Sequence, residues 1–548
     1  MKQLSITSFI VLLSLGSFAQ KKVTLDTTKP TTVVVTSSFK PTLKPAAKIN
    51  FSAASPVADS SRPNLFYTIP SQNLFFAYQP TPLQPLALSP DTAFSWQNHN
   101  YVKAGYGNFT TPYVRVGLSF GDGQKSLINV HAKHVSSKGQ LPFQQFSRTN
   151  LEGLGVFASK NNKSEWNAKA HVDLSNQYLY GFADSMKYTN KDSLKQNFSS
   201  FGARIGLRNK VADASIDYNP SVGMEFFNDN RSGNESTLSF ALPVTKNFGR
   251  VFGLSVGLFG DITSLKTPKA TYDNNLFYLT PAFQFKTPNF KLNAGFTPSW
   301  DNSVFNLLPN FRAEMKVKDQ PFSIQAGWIG YYHRNTYQNL VTYNPFIAQP
   351  DFSNNTRIKE QYAGLKGSAG NHFTYNAKVS ILNYNNVALF VNDTLDGKTF
   401  NVLMEQSMKS FRIHGEIGYI IQEKFSFLAG ATFNRFSNQY SYKDAYGLLP
   451  LEVTGSLRWQ VLKDLSVTSD VFFWDGPQYR ARNGVSLKQK AAIDMNLGLE
   501  LGITNKFSGW LQFNNVLNNQ YQRWNNYKVL GFNVLAGVVY SFGQTAKK

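Results

Sequence analysis

The chain has 548 residues, with 55 lysines and arginines against 33 acids for a formal charge of +22, and it contains no cysteine. Without a thiol there can be no disulfide staple, thiolate metal site, cysteine nucleophile or lipid anchor on cysteine. The basic excess calls for polyanionic surroundings such as lipopolysaccharide phosphates, or for an anionic solute; because the basic residues are scattered through strand-like segments and not gathered in an arm or on a helix, nucleic acid is not an expected partner.

Met1 and Lys2 are followed by the apolar stretch Phe9 to Leu13 and the small residues Gly16, Ser17 and Ala19. This order reads as a secretory signal over residues 1–19, cleaved after Ala19. Beyond it, no apolar run approaches the roughly 18 to 20 residues of a spanning helix, so residence in a membrane would require a closed barrel. A mean hydropathy of −0.29 is compatible with one, because only alternate residues of a barrel strand face lipid.

Residues 20–95 hold ten of the 24 prolines, from Pro30 to Pro90. That density opposes helices and central strands alike. The expected state is an extended segment, periplasmic or luminal, whose clusters Leu65-Phe66-Tyr67 and Leu74-Phe75-Phe76 dock onto something larger; it is too short and broken to be a domain of its own.

Residues 96–542 carry amphipathic strands with alternating tight turns and longer polar loops, and the fold class expected is all-β, a transmembrane antiparallel barrel of about 22 strands. The tight turns are Gly121-Asp122-Gly123, Asn161-Asn162-Lys163, Lys246 to Gly249, Thr287-Pro288-Asn289, Lys318 to Pro321, Gln422-Glu423-Lys424, Lys463-Asp464 and Thr504-Asn505-Lys506. Each is rich in Gly, Pro, Asn or charge. The first strand is expected near Asn100 to Phe109, one long strand over Lys398 to Ile421, and the last over Lys528 to Phe542, with a tail at 543–548. Pro220, Pro243 and Pro298 fall within strand patterns, where bulges or strand ends are expected.

Period-two alternation also assigns the faces. Val114, Val116, Leu118 and Phe120 share one side of their strand, as do Phe201, Ala203, Ile205 and Leu207, and Phe507, Gly509, Leu511 and Phe513. The opposite side carries Arg115, Lys133, Lys169, Arg204, Arg208, Lys291, Arg312, Lys316 and Arg458, with Glu314 and Glu416 among its few acids, so the lumen is expected to be polar and net basic. These nine cations are the candidate contacts for a solute or for the N-terminal segment. Trp474, Tyr479, Tyr521, Trp524 and Tyr527 sit at strand ends or loops, where girdle aromatics belong.

Little in the sequence suggests reaction chemistry. His131 and His134 are three apart on a strand and point to opposite faces, which excludes a two-ligand clamp. Walker, dinucleotide, Gly-x-Ser-x-Gly and His-Glu-x-x-His patterns are absent. His171 beside Asp173, or Asp184, is a pairing that chance supplies in a chain this long. No enzyme activity, cofactor or metal is expected.

Two stretches resemble a known family. Leu511-Gln512-Phe513-Asn514-Asn515-Val516-Leu517-Asn518-Asn519-Gln520-Tyr521, followed by Tyr527 and Gly531 to Phe542, resembles the ending of TonB-dependent outer-membrane receptors. Asn100 to Asn108 resembles the opening barrel strand of Bacteroidetes-type members. Within the last strand, Gly537, Tyr540 and Phe542 resemble the signal read by the barrel-assembly machinery, and Val33, Val34, Val35 and Thr36 resemble a remnant of the TonB-contact box. The resemblance implies an integral protein of the Gram-negative outer membrane, in contact with lipid and lipopolysaccharide, acting in solute uptake or passage. The family's globular plug is not matched by the proline-rich segment, so the expected form is plugless. A barrel this wide must be filled by that segment, closed by its own loops, or closed by a partner. The alternative is a scaffold subunit of an outer-membrane complex, with the N-terminal segment binding a periplasmic or outer-membrane protein.

Overall fold

The structure, a computed structural model, describes residues 98–544 except 123–124, 183–189, 212–213, 319, 353 and 422–423. The signal, the proline-rich segment and Val33 to Thr36 lie outside the described residues. Alternating patterns become strands because a period of two places one apolar set on one side of a pleated backbone. The first eleven staves are β1 (Asn98–Gly107), β2 (Thr111–Gly121), β3 (Ser126–Ser137), β4 (Phe146–Ala158), β5 (Ser164–Tyr178), β6 (Lys195–Asn209), β7 (Ile216–Tyr218 and Ser221–Asp229), β8 (Asn234–Phe248), β9 (Phe252–Lys266), β10 (Thr271–Leu279 and Ala282–Lys286) and β11 (Phe290–Asp301). The second eleven are β12 (Val304–Lys316), β13 (Phe322–His333), β14 (Thr356–Ala369), β15 (Phe373–Asn392), β16 (Phe400–Ile421), β17 (Phe425–Ser437), β18 (Leu451–Leu462), β19 (Leu465–Asp475), β20 (Ala492–Gly502), β21 (Phe507–Asn514) and β22 (Asn533–Gln544).

Each stave pairs antiparallel with the next, and β1 pairs with β22 from Asn98↔Gln544 to Gly107↔Leu535, so the 22 staves close into a ring. The eight tight turns read from the sequence all join staves at one rim, where the described chain also begins and ends. The opposite rim carries the long connections. The long strand expected from Lys398 is β16.

Two prolines break staves. Pro220 divides β7 and Pro281 divides β10, yet both halves of each keep one register with their neighbours. Pro243 and Pro298, where bulges or ends were expected, lie instead inside continuous strands, paired with Gly257 and Leu307. The register explains the tolerance. Pro243 faces the break at Pro220, where Asn219 N donates to the Pro243 carbonyl at 3.3 Å. Pro298 lies beside the break at Pro281, whose carbonyl accepts from Phe296 N at 3.3 Å. Proline has no N–H to give, and grouping these four residues places their missing donors together at two points of the ring.

β22 also differs from expectation. Period two continues back to Lys528, but Asn515 Nδ2 donates to the Leu530 carbonyl at 2.8 Å and Asn518 Oδ1 accepts from Phe532 N at 2.9 Å, which commits those residues to a loop. At its other end β22 runs two residues past Phe542 to Gln544.

A capped, basic lumen as the candidate functional site

The outer wall is apolar. Val114, Phe201, Ile205, Leu511 and Val538 are exposed and, through the cross-strand registers, all belong to one continuous face. The alternate residues face the lumen. All nine cations singled out in the sequence fall on this inner face, because each is one residue out of phase with an outer-wall side chain of its own stave or its partner. Two of them have acidic partners there: Lys169 with Glu152 at 2.9 Å and Arg208 with Glu165 at 2.7 Å. Lys366 with Glu314 at 2.8 Å and Lys378 with Glu360 at 2.9 Å follow the same rule.

The loop rim is bridged by the protein's own loops. The β13–β14 connection forms a helix, α1 (Tyr337–Tyr343), capped by Thr336, whose side chain accepts from Asn339 N. After it, Phe346 lies flat on Tyr527 of the β21–β22 loop, with ring centroids 3.5 Å apart and planes at 17°. Tyr180, just beyond β5, meets both rings edge-on at 6.1 and 4.9 Å. On the far side, Trp524 packs on Phe390 of β15 and Phe400 of β16 at 5.2 and 5.4 Å, and on Tyr343 at 5.6 Å. β5 and β16 stand half-way round the ring from one another. The aromatic chain from Tyr180 through Phe346 and Tyr527 to Phe400 therefore crosses the mouth along its diameter, and a buried apolar cluster that also takes in Leu194, Leu340 and Ile347 surrounds it.

Charged groups pin this cap to the wall. The Glu235 carboxylate of β8 accepts from Tyr337 N at 2.6 Å and Gln338 N at 3.1 Å, satisfying donors at the start of α1 that have no helical partner. Asp229 of β7 accepts from the Tyr337 hydroxyl at 2.8 Å and from Gln349 at 2.9 Å. Arg334 meets Asp261 of β9 at 2.7 Å. Arg523 donates to the Gly447 carbonyl at 2.9 Å, and Gln144 to the Lys528 carbonyl at 2.9 Å, which adds the β17–β18 and β3–β4 loops. The Tyr527 hydroxyl, whose pKa burial pushes well up, donates to the Lys398 carbonyl.

A buried and a half-buried carboxylate shape the neighbouring loops. Glu405 is fully buried and accepts from the backbone N–H of Ser407, Tyr440, Ser441 and Tyr442 at 2.9 to 3.1 Å. Asp393 accepts from Leu395, Asp396 and Thr399 N and from the Thr399 hydroxyl. Burial pushes the Asp393 carboxyl up, but these hydrogen bonds outweigh it and hold it down at about 2.

The aromatics expected as a girdle belong elsewhere. Trp474, Tyr521, Trp524 and Tyr527 are all buried, in the cap and in a smaller cluster beneath the β20 rim, while Tyr479 is half-buried on a short hairpin above the barrel. They sit at strand ends as expected but point inward, because the loops that carry them fold over the mouth. Gly537 marks the seam between β1 and β22, where a Cβ would stand 2.0 Å from the Ala104 carbonyl. Tyr540 packs on Phe507 and Phe542 at 4.9 and 5.6 Å. His171 lies 3.0 Å from Glu225 and 3.8 Å from Asp173, and Asp184 lies outside the described residues. Gln338 of α1 donates to the same Glu225 oxygen at 2.8 Å, so this histidine belongs to the network beneath the cap.

No family model matches the sequence, and no curated protein matches it. Solved structures do. A point-mutant form of the ferric enterobactin receptor PfeA of Pseudomonas aeruginosa superposes with a TM-score of 0.62 at 11% identity, over 82% of this chain and 81% of that one. The siderophore receptor PirA of Acinetobacter baumannii gives 0.62 at 9% identity, over 81% and 80%. The FrpB iron transporter of Neisseria meningitidis gives 0.61 at 12%, over 81% of each. At these identities the likeness is one of architecture, and the chain has the closed 22-stave barrel fold found in outer-membrane siderophore receptors.

Proposed function

We propose that the protein is an integral outer-membrane barrel of the TonB-dependent receptor type through which a solute passes, with its outer mouth gated by its own loops. The observation that carries this reading is the combination of an apolar outer wall, a polar and basic inner face, and a loop cap across the diameter. An apolar wall around a polar lumen is how a β-sheet satisfies its backbone in lipid while keeping a watery interior. The barrel fold shared with proteins titled as siderophore receptors and an iron transporter supports the same direction. On this reading the short-turn rim faces the periplasm, the outer wall meets lipid and lipopolysaccharide, and the nine inner cations face the solute or the N-terminal segment. Gly537, Tyr540 and Phe542 form the assembly signal, and Val33 to Thr36 contact TonB.

The test is ion conductance in a planar bilayer. The mature protein is compared with a form lacking residues 20–95 and with Phe346→Ala/Tyr527→Ala, which removes the central pair of the cap. Current that grows when the cap is loosened supports a gated pathway. Silence in all three forms ends the transport reading, and a stoichiometric partner retained on purification would then favour the scaffold role.

A further inference from the structure

Three cations gather on the outer wall, on β14 to β17 toward the loop rim. Lys359 of β14 and Lys409 of β16 are both directly opposite Asn383 of β15. Arg435 of β17 is opposite Phe411, two residues along β16 from Lys409. Their facing follows from the adjoining row, where Trp328, Ile381 and Phe411 are exposed on the apolar side, while the alternate residues Glu360, Leu382 and Ser410 are buried. Lys359 and Lys409 stand two strand spacings apart, about 10 Å. Lys409 and Arg435 are diagonal neighbours at about 7–8 Å.

Lys409 and Arg435 are exposed and Lys359 is half-buried, and none of the three has an ion pair, a side-chain hydrogen bond or a ring contact among the described residues. Arg357, two residues further out on β14, adds charge but is partly engaged: it donates to Asn385 at 3.0 Å and lies in the field of Asp301. The carboxylate on the same face of β16, Glu405, is fully buried and held by backbone N–H groups of the β17–β18 loop. On β3 to β6, by contrast, the outward row on the loop-rim side of the apolar residues reads Ser136, Ser147, Asn176 and Asn197, none of them charged. The charge is therefore local to one sector of the wall.

Beyond Lys409, β16 turns Phe411, Ile413, Gly415, Ile417, Tyr419 and Ile421 outward. The run from Phe411 to Ile421 covers about 33 Å of strand, or about 25 Å of height at a tilt of about 40°, which matches the apolar band of transmembrane barrels. The cations thus stand where acyl chains end and headgroups begin. We propose that Lys359, Lys409 and Arg435 bind the phosphates of a lipid headgroup in the outer leaflet, such as those of lipopolysaccharide, while its acyl chains lie on Trp328, Ile381, Phe411, Ile413 and Phe433. Two ammonium groups and a guanidinium give phosphate oxygens charge-assisted hydrogen bonds, and the apolar side chains directly beneath them select an amphiphile over a free anion. The inference rests on the reading of the outer wall as lipid-facing and of the loop rim as outermost, and adds the place where one class of lipid is held.

The test is native mass spectrometry of the full mature protein in detergent, with diphosphorylated lipid A, its dephosphorylated form and inorganic phosphate as probes. The diphosphorylated lipid should be retained, the dephosphorylated form much less, and inorganic phosphate at equal concentration should not displace the lipid. A basic residue at an anionic lipid headgroup is worth roughly fivefold in affinity. Lys359→Gln, Lys409→Gln and Arg435→Gln should each weaken retention by about that factor, and Lys359→Gln/Lys409→Gln by roughly twenty-five-fold. Lys266→Gln, which removes an exposed outward lysine at the end of β9, should leave retention unchanged. Each variant is first shown to unfold at the wild-type Tm. The proposal is overturned if both lipid forms are retained equally, if Lys266→Gln weakens retention as much as Lys409→Gln, if inorganic phosphate displaces the lipid, or if the adduct lost in the variants is a protein. Quenching of Trp328 by brominated lipid separates the two levels: quenching without a phosphate preference refutes this site alone, whereas no quenching refutes the lipid-facing wall as well.

Discussion

Phe346→Ala is the sharpest probe of the cap. Phe346 is 3% exposed, stacks on Tyr527, meets Tyr180 edge-on, and is tied through backbone to β16 by Phe400 N to its carbonyl at 3.0 Å and Ala348 N to the Phe400 carbonyl at 2.9 Å. Truncating a buried phenylalanine costs about 3–5 kcal/mol, most of it from lost burial and the cavity left behind. The barrel ladder lies outside this contact, so the loss falls on the equilibrium between seated and lifted cap. At about 1.4 kcal/mol per tenfold, the lifted fraction rises roughly a hundredfold to a few thousandfold. Hydrogen exchange at the Ala348 and Phe400 amides reads this directly, since both are protected only while the cap is seated. Single-channel recording reads it as a higher open probability. Phe346→Leu, which keeps most of the apolar volume, should give a much smaller effect. If the variant folds and both amides exchange at the wild-type rate, the cap is not held by this stack and the gating argument fails.

Glu405→Gln leaves shape nearly unchanged but turns an NH₂ toward backbone donors. Losing even one hydrogen bond to a charged acceptor is worth about 1.5–3 kcal/mol, so the amides of Tyr440, Ser441 and Tyr442 should exchange at least tenfold faster. Asp393 has its pKa held below the unfolded value, so its contribution to loop order is complete above about pH 4 and is lost as the pH falls toward about 2. Exchange of the Leu395 and Thr399 amides, measured down through that window, should accelerate in the wild type and show no such transition in Asp393→Asn. Among the tryptophans, Trp166, Trp300, Trp328 and Trp459 are on the outer wall and exposed, whereas Trp474, Trp510 and Trp524 are buried. Brominated lipid should quench single-tryptophan variants of the first group and spare those of the second; the opposite pattern would remove lipid from the outer wall.

The ring was legible because period two is local. Each stave announces its apolar side within its own residues, as in Phe201, Ala203, Ile205 and Leu207, and the turns carry Gly, Pro and Asn where the backbone must reverse. The long β16 and the inner placement of the cations followed from the same signal. The prolines were harder, since whether Pro243 can sit inside a strand depends on what faces it, and its partner gap lies at Pro220 in another stave. The cap was not legible at all. Phe346, Trp524 and Tyr527 look like any loop aromatics until residues almost two hundred apart in sequence are brought together. The density of such side chains from Tyr521 to Tyr527 was a signal, but it reads equally well as an interfacial girdle.

The seam between β1 and β22 has a consequence for how the chain is made. Asn98 emerges from the ribosome long before Gln544, yet each supplies hydrogen bonds the other needs. Until the final stave exists, every partial sheet has two raw edges, each a template for pairing with a stranger. Contacts this distant in sequence also form slowly. The newborn chain must therefore be chaperoned as an open ribbon, and removing its last dozen residues should yield insoluble aggregates in place of a slightly smaller barrel.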